Sequence, residues 1–343
     1  LRIGAAIAVL VSHAYPLALG AGTPEPLTAS TGFTLGTAAV FVFFAISGFL
    51  ISQSFDRRGN ELMFWWARFL RIVPGLVVAV TLTALVLGPI ASDLTVQSYF
   101  RSPAVATYVI RNVTLFALQP GLPGVFTSTP YPIFVNGSLW TLFYEVACYA
   151  MVAVVGLLCR STRAFALFVL AFVVLYVSFR QPIQSDARIA KLAMLSLPFV
   201  LGMLAYRARR FVPLSSPLLA SLVLLCIVLH KTVMFRELFV ASLTYGALYL
   251  GFTRLSRLAD YNRVGDYSYG VYIYAFPIEQ MTAWVLEEPT PILVSTIAFV
   301  PTLLLAILSW HLVEKPALRL KSLSRRRGRE LATLTPAEVV EHP

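Results

Sequence analysis

Long apolar runs recur along this chain, and a helix needs about 20 mostly apolar residues to cross a bilayer. The runs lie near 3–20, 36–54, 73–91, 138–158, 164–180, 191–206, 216–232, 236–253, 268–286 and 291–312. They predict an all-α polytopic membrane protein with about ten transmembrane helices. Hydrophobic residues make up 58% of the 343 and charged residues 13%. That composition excludes a water-soluble globular enzyme and a disordered chain. It also argues against nucleic-acid binding despite a net charge of +11, because a basic chain this apolar places its charge beside a membrane.

The charge pattern gives an orientation. With the N-terminus in the cytoplasm, the cytoplasmic side receives 20 of the 27 basic residues, among them Arg2, Arg68, Arg71, Arg207 and Lys315. The other side receives Arg101, Arg111, Arg180, Arg188, Lys191, Lys231 and Arg236. An excess of this sign favours an even number of spans with both termini cytoplasmic. The stretch 92–137, with Asp93, Arg101, Arg111 and four prolines from Pro120 to Pro132, is too polar to span and reads as an extramembrane loop. Residues 1–320 form one membrane domain, and 321–343 read as a disordered cytoplasmic tail. The chain starts at Leu1 with Arg2 next, which suggests that residues preceding Leu1 are missing. Cys148, Cys159 and Cys226 form no CxxC or Cys/His cluster, so no metal site is expected.

Ionisable residues inside apolar runs are costly and point to function. Three stand out: His13, Glu145 and Glu279. His13 follows Arg2 by eleven residues, about three helical turns, so both side chains share a face roughly 16 Å apart along the axis. Histidine titrates near neutrality and is a natural general base. Glu145 needs a partner, such as His13 or an arginine, to be held at that depth. Glu279 follows Pro277, which frees a backbone carbonyl, but its position also fits the outer surface.

Arg68 and Arg71 are three apart and share one helical face beside Trp65 and Trp66. Such a pair either holds phosphates bidentately or anchors the chain to lipid headgroups. Ser47-Gly48 puts small residues where two helices can pack closely. Ser47, Trp140 and Tyr144 are candidates for a substrate path. Asn112-Val-Thr114 and Asn136-Gly-Ser138 match the glycosylation sequon. Tyr267, Tyr269, Tyr272 and Tyr274 either line a glycan path or form an interfacial belt.

These residues, taken in order, resemble the acyltransferase-3 family of integral membrane O-acyltransferases. The resemblance runs from Arg2 to about Arg319. It rests on Arg2-x10-His13, on the Phe-Phe-x-x-Ser-Gly-Phe-Leu-Ile run from Phe43 to Ile51, and on Arg68-x-x-Arg71-Ile-x-Pro74. Ser138-Leu-Trp-Thr-Leu-x-x-Glu145, the segment Asp266 to Pro277 and Val313-Glu-Lys-Pro316 complete it. Many relatives carry a histidine where this chain has Ala275, so no chemistry is assigned there.

The resemblance implies transfer of an acyl group, usually acetyl, from cytoplasmic acyl-CoA to a hydroxyl of a carbohydrate or other cell-envelope acceptor. It implies that His13 is catalytic and that Arg2, Arg68 and Arg71 serve the donor. Acetyl-CoA or another acyl-CoA is then a co-substrate, and no permanently bound cofactor is expected. In this reading His13 removes the acceptor proton, and Glu145 orients or charge-stabilises the histidine. An acyl-histidine intermediate is an equally open version. The expected location is a bacterial inner membrane. A proton-coupled transporter or flippase of a glycan or lipid-linked substrate is the rival, since buried His and Glu suit such a carrier.

Overall fold

The computed structural model describes residues 1–58, 60–159, 161–179, 187–253 and 265–321. The expected tail, apart from Lys321, lies outside them. Among the described residues there is no β-strand; Ser92 and Val125 make a single antiparallel bridge. The all-α expectation holds.

Every expected apolar run is a helix. The first three long ones are α1 (Arg2–Leu19), α3 (Leu35–Arg58), which follows the single-turn α2 (Thr28–Thr31), and α4 (Glu61–Ala91). After two shorter helices come α7 (Trp140–Leu158), α8 (Thr162–Phe179) and α9 (Ala187–Arg207). Then follow α10 (Ser216–Val228), α11 (Phe235–Phe252), α12 (Ser268–Val285) and α13 (Pro291–Lys321). Seven of these, α1, α3, α4, α7, α8, α9 and α13, are long and apolar enough to cross a membrane. Of the other three, α10 has only 13 residues, and α12 buries Glu279, Gln280 and Thr282 among its apolar residues.

α1 sits centrally, packed by α3, α12 and α13. Its buried face is rich in alanine (Ala5, Ala6, Ala14 and Ala18), which brings its neighbours close. α3 packs along α9 through two glycines. A Cβ on Gly48 would stand 2.0 Å from the Phe199 carbonyl oxygen, and one on Gly202 would stand 2.2 Å from that of Ala45. No side chain fits at either position, and the close packing expected at Ser47-Gly48 is present.

The stretch 92–137 differs from the simple loop expected. It contains two helices, α5 (Val96–Arg101) and α6 (Pro103–Thr114). Thr95 caps α5 by accepting from Ser98 N, and Ser102 caps α6, whose first residue is Pro103. Tyr99 OH donates to the Ala84 carbonyl (2.7 Å) beside a wide turn over Thr83–Leu87 in α4. The end of the stretch is exposed at Pro132, Ile133 and Phe134 and turns inward over 135–139. Residues 131–139 pack against the middle of α12, where Tyr272 OH donates to the Ser138 carbonyl (3.0 Å). Gln280 Nε2 donates to the Tyr131 and Phe134 carbonyls, each at 2.7 Å. Non-helical backbone is tolerated where protein covers it and pairs its carbonyls, as α12 does for Ser138.

Pro277 has the effect its chemistry dictates. It lacks an N–H, so the Ile273 carbonyl four residues earlier has no helical donor. Asn136 Nδ2 fills that place at 2.9 Å. Both sequon asparagines are thereby structural: Asn112 is 2% exposed and Asn136 is 9% exposed. Neither is open to glycosylation in this fold.

Candidate active site

The site has two levels on the same pair of helices. At the first, Arg2 at the start of α1 lies 3.6 Å from Asp266, two residues before Ser268 at the start of α12. Arg71 of α4 donates to the same Asp266 oxygen at 2.6 Å. Arg71 also reaches Glu314 of α13 at 3.5 Å, and its guanidinium lies over the rings of Tyr269 (5.6 Å) and Trp310 (5.9 Å). Three helix segments, α4, α12 and α13, thus converge on one guanidinium, and Asp266 links it to α1. Asp266 is fixed further by Ser268, whose Oγ and N–H both donate to its other oxygen. Burial opposes ionisation of Asp266, but the guanidinium groups of Arg2 and Arg71 outweigh it and hold the carboxyl down at about 2.

Arg68 lies one turn away on α4, over the rings of Phe64 (5.9 Å) and Tyr149 (5.7 Å), with its Nε buried and unpaired. Tyr149 OH donates to Glu145, so Glu145 stands beside Arg68 and not beside His13. Of the two partners open to Glu145 from sequence, the arginine is the one adjacent. Arg2, Ser47, Thr141, Glu145, Ser268 and Tyr272 share a narrow cavity of ≈ 30 Å³, enough for about one or two waters. Ser47 therefore joins Arg2 and Glu145 in one space. Trp140 and Tyr144 pack edge-on with ring centroids 5.7 Å apart, and neither lines that cavity.

At the second level, three turns along α1, His13 faces α12. Its Nδ1 is buried and lies 3.9 Å from Glu279 Oε2. Glu279 is fully buried, and neither of its oxygens has a hydrogen-bond partner. The neighbouring Gln280 Oε1 is also buried and unpaired. A separation of 3.9 Å is within ion-pair reach but long for a hydrogen bond; catalytic pairs often tighten only when substrate is bound. The exposed fifth of the His13 side chain lies away from Nδ1. Phe276 meets the His13 ring edge-on at 5.1 Å, and Gly137 of the inserted segment presses on Phe276.

Sequence reasoning singled out Arg2, Arg68, Arg71 and His13; in the fold Arg2 lines the cavity, Arg71 meets Arg2 through Asp266, and Arg68 lies beside Glu145. Asp266 and Glu314 entered only as parts of longer motifs, and Glu279 stood out within an apolar run but with a position that also fitted the outer surface. Asp266 lies outside every apolar run, so membrane depth did not flag it. Glu314 lies two residues past the last run, but α13 continues through a wide turn at Trp310–Glu314 and carries it inward. Among the described residues no group of three His, Cys, Asp or Glu could hold a metal ion.

Comparison with known proteins identifies the family. Residues 1–311 match the acyltransferase-3 family model, described as an acyltransferase domain. The O-acetyl transferase of Shigella phage Sf6 is 31% identical over 330 residues, covering 92% of this chain and 93% of that protein. Nodulation protein 10 of Rhizobium leguminosarum bv. viciae is 31% identical over 156 residues, covering 43% of this chain and 41% of that protein. No solved structure matches the chain significantly. With its apolar helices and a match over nearly its whole length, the chain is an integral membrane acyltransferase and belongs to the acyltransferase-3 family.

Proposed function

We propose that the protein moves an acetyl group from cytoplasmic acetyl-CoA to a hydroxyl of an envelope carbohydrate, with His13 as the base and Glu279 as its orienting partner. The observation that carries this reading is the buried His13–Glu279 pair, 3.9 Å apart, on the helices that also hold Arg2 and Asp266. Glu279 is fully buried and neither of its oxygens is hydrogen-bonded, which supports a role in fixing the imidazole.

The donor enters from the end bearing Arg2, Arg68 and Arg71, whose guanidinium groups suit the CoA phosphates. The cavity between Arg2 and Glu145 is the start of the thioester's path and must widen to admit it. Glu145, beside Arg68, acts here on the donor side. The acceptor comes from the opposite end, toward the exposed edge of His13. A ring nitrogen of His13 takes the hydroxyl proton as the acceptor oxygen attacks the thioester carbonyl. The C–S bond breaks, and the departing CoA sulfur receives the proton from the imidazolium. Both termini and the basic ends of the helices then lie in the cytoplasm, and the ten helices act as spans of a bacterial inner membrane.

Vectorial labelling tests the reading. Inverted vesicles given acetyl-labelled acetyl-CoA should place label in the glycan fraction, and right-side-out vesicles should not. Equal labelling in both orientations would contradict the proposed donor side.

A further inference from the structure

The segment 20–34 joins α1 to α3 at the end of the molecule away from Arg2, and one of its side chains reaches back to the level of the histidine. Ser12 Oγ, buried on α1 one residue before His13, donates to the Glu25 carboxylate of that segment. Glu25 is half-buried. Among the described residues Ser12 is the one hydrogen-bond partner of its side chain, and no ion pair reaches it. A carboxylate accepts about four hydrogen bonds, so most of this capacity is unused. α3 leaves room for the Ser12 hydroxyl at Gly36, where a Cβ would stand 2.8 Å from Ser12 Oγ. The segment is held by Thr23 Oγ1, which donates to the Gly20 carbonyl (2.8 Å), and by Leu35 N, which donates to that of Pro26 (3.1 Å).

A second acceptor lies on the same residue of α1. Pro16 has no N–H to give the Ser12 carbonyl four residues earlier. Asn136 meets the carbonyl that Pro277 frees on α12, but among the described residues no side chain donates to that of Ser12. A helical carbonyl points toward the later residues, here toward the end that carries the 20–34 segment. That segment also meets the inserted one, since a Cβ on Gly20 would stand 3.4 Å from the Pro130 carbonyl oxygen. Tyr131, next along, packs edge-on against Phe276 with ring centroids 6.5 Å apart, and Phe276 is the ring that meets His13.

From this geometry we infer that Glu25 and the Ser12 carbonyl form a subsite for the acceptor, in which hydroxyls of a sugar unit donate to them while another hydroxyl is presented to His13. The inference rests on the acyl-transfer reading above and names what holds the acceptor. Two acceptors with no cation beside them call for neutral donors, which a sugar ring supplies in number, and they repel an acidic group. Through the Ser12 bond, covalent lengths keep the Glu25 carboxylate at most about 14 Å from the His13 ring nitrogens. One or two sugar rings span that distance.

The test uses the full chain in nanodiscs and the envelope glycan fraction of the native membranes, fluorescently tagged at its reducing ends. Without acetyl-CoA, glycan binding should weaken about tenfold in Glu25→Gln, the loss of one charge-assisted hydrogen bond, and acetyl-CoA binding should stay within about twofold. Ser12→Ala, which releases the carboxylate, should weaken glycan binding too. In transfer assays Glu25→Gln should raise KM for the glycan and leave KM for acetyl-CoA unchanged. Its melting temperature should match wild type, which separates lost recognition from a loosened fold. No glycan binding by wild type, equal binding by Glu25→Gln, or a fall in kcat with KM for the glycan unchanged would overturn the inference. If wild type binds the glycan and Glu25→Gln binds it weakly, yet wild type transfers no acetyl group, the acyl-transfer reading fails while the subsite stands.

Discussion

His13 and Glu279 face each other at 3.9 Å across α1 and α12. The same two helices are tied again near their beginnings, where Arg2 meets Asp266 at 3.6 Å. A shift of either helix therefore moves both pairs, which links the basic end of the molecule to the histidine.

Glu279→Gln keeps the volume and removes the ionisable carboxyl. It should lower kcat about 10²–10⁴-fold, the range lost when a histidine loses its orienting carboxylate or its base function. KM for acetyl-CoA should stay within about twofold, since Glu279 lies three turns from the arginines. Steady-state kinetics on the purified variant separates the two constants. A large KM effect with unchanged kcat would assign Glu279 to donor binding.

Arg71→Lys retains one positive charge but loses the fork that meets Asp266 and Glu314 together. KM for acetyl-CoA should rise about tenfold or more. Isothermal titration with CoA should show the same weakening, and acetyl-dephospho-CoA, which lacks the 3′-phosphate, should be less affected by the substitution.

Asp266 supplies a pH dependence. Its folded-state carboxyl is held at about 2, below its ordinary value of 3.8, so its stabilisation is complete above about pH 4 and lost as pH falls toward 2. Wild type in detergent should lose thermal stability over that window more steeply than Asp266→Asn, and at pH 7 the variant should melt at the lower temperature. Melting curves at pH 7, 4 and 3 check both statements. Parallel curves at all three values would mean that the pair contributes nothing to folding.

Asn136 and Pro277 should be coupled. Asn136→Leu leaves the Ile273 carbonyl without a donor and should cost about 1–3 kcal/mol. Pro277→Ala restores a helical donor to that carbonyl. The double variant should therefore be less destabilised than the sum of the two single ones, and a double-mutant cycle in thermal or denaturant unfolding measures the difference. Strict additivity would show that the two residues act independently.

The fold was largely legible because each apolar run encodes one helix, and Arg2 and His13 share a face by their spacing alone. Pairings between helices were not legible in the same way. Periodicity says which residues share a face but not which helix that face meets, so the sequence assigned Glu145 to His13, and the fold sets Glu279 there instead. The polarity of 92–137 pointed outward because sequence cannot show polar groups satisfied internally, as Asn136 and Gln280 do. Gly48 and Gly202 were readable as small residues, but only the fold shows that each abuts a backbone carbonyl.

The most direct test of the central claim compares wild type with His13→Ala in the same vesicles, measuring release of CoA, transfer of acetyl label and binding of acetyl-CoA. The account predicts that the variant binds donor normally and transfers no label, because Arg2, Arg68 and Arg71 are untouched and the base is gone. Transfer at the wild-type rate by His13→Ala would contradict it.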